Sequence, residues 1–169
     1  MSRAFVKEDD GDRPEAPLPD RPISQHPNLV TPQGLEKLKA KVLALKEERQ
    51  SLSRQADMFA QGRLPEVARD LRYFEHRLSS AVVVDPERLS GEKIQIGCLV
   101  ELEDEQGNTY HYRIVGEDEA DPAKGLISWV SPLGTALMGQ PEDEEVLWRR
   151  PDGPRRLIIL SIDPRPADT

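Results

Sequence analysis

Two apolar stripes of matching spacing, separated by only a few residues, restrict what this chain can fold into more than any other feature. Leu35, Leu38, Val42, Leu45, Arg49, Leu52, Ala56 and Phe59 recur at alternating steps of three and four, a heptad seam with one polar interruption. Leu64, Val67, Leu71, Phe74, Leu78 and Ala81 repeat that spacing. Thr31 supplies an N-cap and Pro32 the first helical position, where its missing N–H leaves nothing unpaired. The Ala60-Gln61-Gly62-Arg63 stretch reads as a turn, and Pro65 as the start of a second helix. That second arm, 65–81, would span about 25 Å at 1.5 Å per residue. Two helices with matching seams and so short a break fold back as an antiparallel pair. The stripe is narrow, two positions in seven, which favours a protruding coiled coil over two helices sunk in a common core.

The second half changes period. Ile94, Ile96, Cys98, Val100 and Leu102 alternate with more polar neighbours, as in a half-buried strand; Gln106-Gly107-Asn108 is a turn; Tyr110, Tyr112 and Ile114 return. Gly125 to Val130 reads as a third strand, Pro132 to Met138 as a short helix capped by Ser131, and Glu145 to Arg149 as a fourth strand. Leu157 to Ile162, apolar at nearly every position, is expected centrally in the sheet and covered on both sides. The fold class is therefore α+β: an antiparallel helical hairpin over 31–84, then an antiparallel sheet domain with one short helix over 85–169. Residues 1–30 carry Pro14, Pro17, Pro19, Pro22 and Pro27 among charged residues, and are expected to form a disordered acidic tail in which Phe5, Val6 and Ile23 could dock locally.

Charge narrows the partners. The net charge of −8 divides into −2 over residues 1–30, +3 over 31–84 and −9 over 85–169. An acidic second half repels nucleic-acid phosphates, so a basic protein surface is the better partner than free DNA. The single cysteine, Cys98, cannot form an internal disulfide, no apolar run is long enough to span a membrane, and the first residues lack the apolar core of a secretory signal. A cytoplasmic monomer is expected. His26, His76 and His111 are scattered rather than spaced as metal ligands, and neither a Gly-rich phosphate loop nor a GxSxG elbow is present, so no catalytic residue, metal or cofactor is expected.

The stretch Tyr112 to Gly139 resembles the signature of the GreA/GreB family of bacterial transcription elongation factors: YRIVG, then DEAD, then ISWVSP, then ALMG. The hairpin opening LVTPQGLEKL and the exit AVVVD at 81–85 are similar to that family too, and the likeness covers about 29–163. It implies an N-terminal coiled coil joined to an FKBP-like C-terminal domain that grips the rim of the RNA polymerase secondary channel, while the coil enters it. On that likeness Asp118, Glu119, Asp121, Ser131 and Pro132 become candidates for the polymerase contact, Glu117 lying in the same acidic turn. An FKBP-like domain raises the question of prolyl isomerase activity, but Tyr110, Tyr112, Trp129 and Trp148 are too few to wall such a pocket, and Trp129 is expected to be buried.

The family's coil tip holds a second Mg²⁺ through paired carboxylates, within GDxxENxxY, to drive cleavage of backtracked RNA; one carboxylate alone would hold a divalent cation weakly. This chain lacks that string. Around its expected tip of Asp57, Gln61, Gly62, Arg63 and Glu66, the two acids stand nine positions apart. The hairpin is also shorter than the family's by roughly two helical turns per arm, each about 5.4 Å. In this it is similar to the regulator of nucleoside diphosphate kinase. After Gly139 the family's Lys and Gly-Asp give way to Gln140-Pro141-Glu142-Asp143. The resemblance thus implies a polymerase-binding regulator that does not stimulate cleavage. The other readings are an atypical cleavage stimulator using Asp57 and Glu66, and a binding module for a different protein.

Overall fold

The computed structural model describes residues 17–167, so Phe5 and Val6 lie outside the described residues. Strand β1 is Leu29–Val30, helix α1 Pro32–Ser53, helix α2 Met58–Ser80 and strand β2 Val82–Val83. The sheet domain follows with β3 (Leu99–Asp104), β4 (Thr109–Val115), β5 (Leu126–Ser128), α3 (Pro132–Leu137), β6 (Glu145–Trp148) and β7 (Arg155–Asp163). The fold is α+β, a helical hairpin set on a five-stranded sheet of order β5-β4-β3-β7-β6.

Helix α1 begins as its sequence requires, with the Thr31 hydroxyl accepting from the Gly34 N–H at 2.9 Å and Pro32 in the first turn. The hairpin turn does not fall at 60–63. It spans residues 54–57, and Gln61, Gly62 and Arg63 lie inside α2. Asp57 decides the matter: its carboxylate caps α2 by accepting from the Ala60 N–H at 2.8 Å. Once capped there, the second seam extends back to Ala60, which is fully buried, and the Gly-Pro punctuation is absorbed into the helix. Pro65 forfeits one helical hydrogen bond near the N-terminus, a smaller loss than breaking the seam. Phe59, expected in the first seam, is instead 78% exposed. The hairpin core comprises Val42, Leu45, Leu52, Ala60, Val67 and Leu71, with Leu64, Phe74 and Leu78 against it. With 22 and 23 residues, the arms are each about 33 Å long at 1.5 Å per residue.

The sheet has its own core, from Ile94, Ile96 and Cys98 through Val100, Leu102, Ile114, Leu137, Leu157 and Ile159. Ile94, Ile96 and Cys98 are buried as their alternation predicts, although β3 starts only at Leu99. Gly97 takes a left-handed φ of 100° and interrupts the strand without breaking the pairing: its N–H donates to the Ile114 carbonyl at 2.7 Å, and the Ile114 N–H to the Cys98 carbonyl at 3.0 Å.

Two expectations for the sheet need correction. It is mixed rather than antiparallel, because β5 pairs parallel to β4. Between them the chain makes 3₁₀ turns at Glu117–Glu119 and Pro122–Lys124, and so re-enters the sheet in the same direction. Strand β7 lies between β3 and β6, but only its inner face is covered: Leu157 and Ile159 are fully buried while Ile158 and Leu160 face outward.

Residues 17–30 also differ from the solvated tail anticipated for them. They run along α2 and end in β1, which pairs in parallel with β2. Asn28 is buried and donates from Nδ2 to the Arg77 carbonyl at 2.7 Å, while its own carbonyl accepts from the Val82 N–H at 2.8 Å. Among the described residues no helix is long and apolar enough to cross a membrane.

Candidate docking face and hairpin tip

The acidic turn after β4 lies where the hairpin meets the sheet, and its first acids face inward. Asp118 accepts from the Tyr73 hydroxyl at 2.6 Å and from Arg77 Nε at 2.5 Å, both on α2. Glu117 Oε2 lies 3.3 Å from Arg77 Nη2. Glu119 is buried and accepts from the Thr31 hydroxyl at 2.6 Å, so one threonine both caps α1 and anchors the sheet domain. Close backbone approach permits this. A Cβ on Gly34 would stand 2.5 Å from Glu119 Oε2, and one on Gly116 2.5 Å from the Leu29 carbonyl oxygen.

Arg77 is 1% exposed. Burial works against its charge, yet hydrogen bonding and charge attraction from Asp118, with Glu117 beside it, more than offset this and raise its pKa. Tyr73 is pushed up to about 12, by burial first and by its bond to Asp118 second. An ion pair this enclosed contributes little net stability against a well-packed apolar substitute, but it fixes one relative orientation of the parts it joins.

Asp118 and Glu119 therefore leave the set of free contact candidates: their carboxylates hold the hairpin in place. Ser131 is half-buried and acts as the cap of α3, accepting from the Gly134 N–H at 3.0 Å and donating to the Ser128 carbonyl at 2.6 Å. Pro132 remains exposed, and the half-buried Asp121 has its side chain 44% exposed, with Lys124 3.9 Å away. Trp129, just before Ser131, is half-buried against the sheet core; its enclosed Nε1 has no acceptor among the described residues, and the His26 ring meets it edge-on at 5.7 Å. Sequence reasoning missed Tyr73 and Arg77. Their signal was a spacing of four on one helix face beside the seam, which places a phenol and a guanidinium side by side.

At the far end of the hairpin the acids are also engaged. Asp57 caps α2, and Glu66 sits 2.6 Å from Arg63, which also reaches Glu48 at 3.1 Å. These bonds raise the Arg63 pKa, that from Glu66 most. Gln61 and Gly62 are exposed along α2's early turns, and beside them the apolar side chains of Met58 at 91% and Phe59 are exposed too. Among the described residues no group of three or more His, Cys, Asp or Glu is placed to hold a metal ion.

Residues 89–164 fit the family model described as transcription elongation factor, GreA/GreB, C-term. The transcription elongation factor GreA of Novosphingobium aromaticivorans is 38% identical over 148 residues, spanning 78% of this chain and 92% of that protein. The transcription elongation factor GreB of Neisseria meningitidis is 34% identical over 152 residues, spanning 80% and 93%. The crystal structure of GreA factor homolog 1 of Thermus thermophilus is 25% identical, with a TM-score of 0.40 over 81% of this chain and 99% of that one. On the extent of these relatives, the chain belongs to the GreA/GreB family of transcription elongation factors.

Proposed function

We propose that this protein is a cytoplasmic regulator that binds bacterial RNA polymerase at the rim of its secondary channel, extends its hairpin into the entrance, and does not stimulate transcript cleavage. Family membership supports the partner. The observation that carries the second half is the engagement of both tip acids: Asp57 is spent on a helix cap and Glu66 on Arg63. A carboxylate already bonded to a backbone N–H or a guanidinium must give up that bond before it can hold Mg²⁺, and cleavage chemistry requires two such groups at one point. The rim contact is made by Pro132 and Asp121, presented by the capped start of α3 and the turn before β5. Ser131 shapes this surface as the cap of α3, while Asp118 and Glu119 hold the hairpin against the same domain. Opposite charge across such a contact would govern orientation and association rate more than affinity.

Retention on immobilised bacterial polymerase tests the partner, and Pro132→Arg should weaken retention without altering the fold. Equal retention of that variant would move the contact elsewhere, and no retention of the parent protein would end the polymerase reading.

A further inference from the structure

We propose that residues 17–28 form a salt-sensitive brace that stops the hairpin from rocking about its attachment at Arg77. The contacts of Arg77 and, one turn higher, Tyr73 with Asp118, and of Thr31 with Glu119, tie the hairpin to the sheet domain near its base. A lever about 33 Å long held at one end needs a second point of support. The segment supplies it higher on α2. Asp20 lies 2.6 Å from Arg72 Nε, and the same guanidinium donates to the Leu18 carbonyl at 3.2 Å. Arg21 reaches Asp70 at 3.4 Å and stacks over the Tyr73 ring at 3.9 Å, the tyrosine whose hydroxyl is bonded to Asp118. Arg72 and Asp70 lie five and seven residues above Arg77, about 7–10 Å along the helix.

The other end of the segment rests on the sheet domain through His26 against Trp129, and its Asn28 secures the base of α2. One stretch thus touches both bodies. Pro17, Pro19, Pro22 and Pro27 restrict its backbone, so it transmits strain instead of absorbing it.

Among its upper contacts the Arg21–Asp70 pair is part-buried, at 37% and 21%, but the Asp20–Arg72 pair is an exposed one, with the Asp20 side chain 75% and that of Arg72 43% exposed. Pairs of this kind are weak and screened by salt, whereas the buried base contacts are not. The brace therefore opens before the base does, leaving a folded hairpin that rocks.

Spin labels on the full chain, at Gln61→Cys on α2 and Asn108→Cys in the β3–β4 turn, test this by pulsed electron spin resonance; the native Cys98 is buried and unreactive. At about 0.05 M salt the distance distribution should be narrow, and at about 1 M, where the screening length is about 3 Å, it should broaden about twofold. The Arg21→Ala, His26→Ala double variant should be broad at both. A reporter pair within the hairpin, Ala44→Cys with Gln61→Cys, should stay narrow throughout. Equal widths in the parent at low and high salt would overturn the proposal, even if the double variant failed to fold. So would broadening of the hairpin reporter, which would place the mobility inside the coil. The experiment contains no polymerase, so its failure leaves the proposed function untouched.

Discussion

The two ends of the hairpin distribute charge and apolar surface in opposite ways. At the base, Arg77, Asp118 and Glu119 are enclosed and bonded to one another or to a capping threonine. At the tip, Met58 and Phe59 face solvent while Arg63 bridges Glu48 and Glu66 at the surface. Enclosed charge is expensive unless paired, and once paired it specifies a single geometry, so the base acts as a joint of fixed angle. Apolar groups left in water at a capped helix start add nothing to the fold, so the tip is free to be shaped by something else. The base serves the protein's own architecture, and the tip's exposed apolar groups contribute little to it.

The sharpest way to break that contrast is at the base. Arg77→Ala leaves Asp118 and Glu117 facing an empty interior and should destabilise by about 3–5 kcal/mol in urea unfolding; a loss below about 1 kcal/mol would show that these charges are better solvated than their burial indicates. Thr31→Ala removes a helix cap and the partner of Glu119 together, with an expected loss of about 1–3 kcal/mol by the same measurement.

Tyr73 sharpens the comparison through pH. Its folded pKa of about 12 lies above the ordinary 10, so its contribution to stability is complete below about pH 10 and is lost as pH rises toward 12. Ultraviolet titration should show a phenol that ionises only near pH 12, and Tyr73→Phe should remove that step. At the tip the effects shrink. Asp57→Ala removes the cap of α2 and should cost about 1 kcal/mol. Phe59→Ser should change stability by no more than about 0.5 kcal/mol, since Phe59 is largely exposed. A larger loss would place Phe59 in the hairpin core after all.

The sequence carried the fold class because its signals there were long and periodic: the two seams, the Thr31-Pro32 start and the alternation from Ile94 to Leu102 each recur over several residues. The turn was misplaced because Gly62 and Pro65 are strong local breakers, while the Asp57 cap is one side chain whose effect shows only once the helices pair. The parallel entry of β5 depends on the path of a ten-residue crossover, which has no period to read. At the candidate site, Ser131 as a cap was legible from its Pro neighbour, but the inward turn of Asp118 and Glu119 was not. An acidic run after a strand looks the same whether it meets water or a guanidinium 41 positions away. The ordering of residues 17–30 was hidden for the same reason: its partners Arg72, Tyr73 and Arg77 are all distant in sequence.

The most direct test of the account uses a backtracked elongation complex with 3′-labelled nascent RNA, saturated with this protein in the presence of Mg²⁺. The account predicts that the protein remains bound to the complex and the RNA keeps its full length, with Asp57→Ala behaving the same. Release of labelled 3′ fragments by the bound protein, abolished by Asp57→Ala or Glu66→Ala, would contradict it.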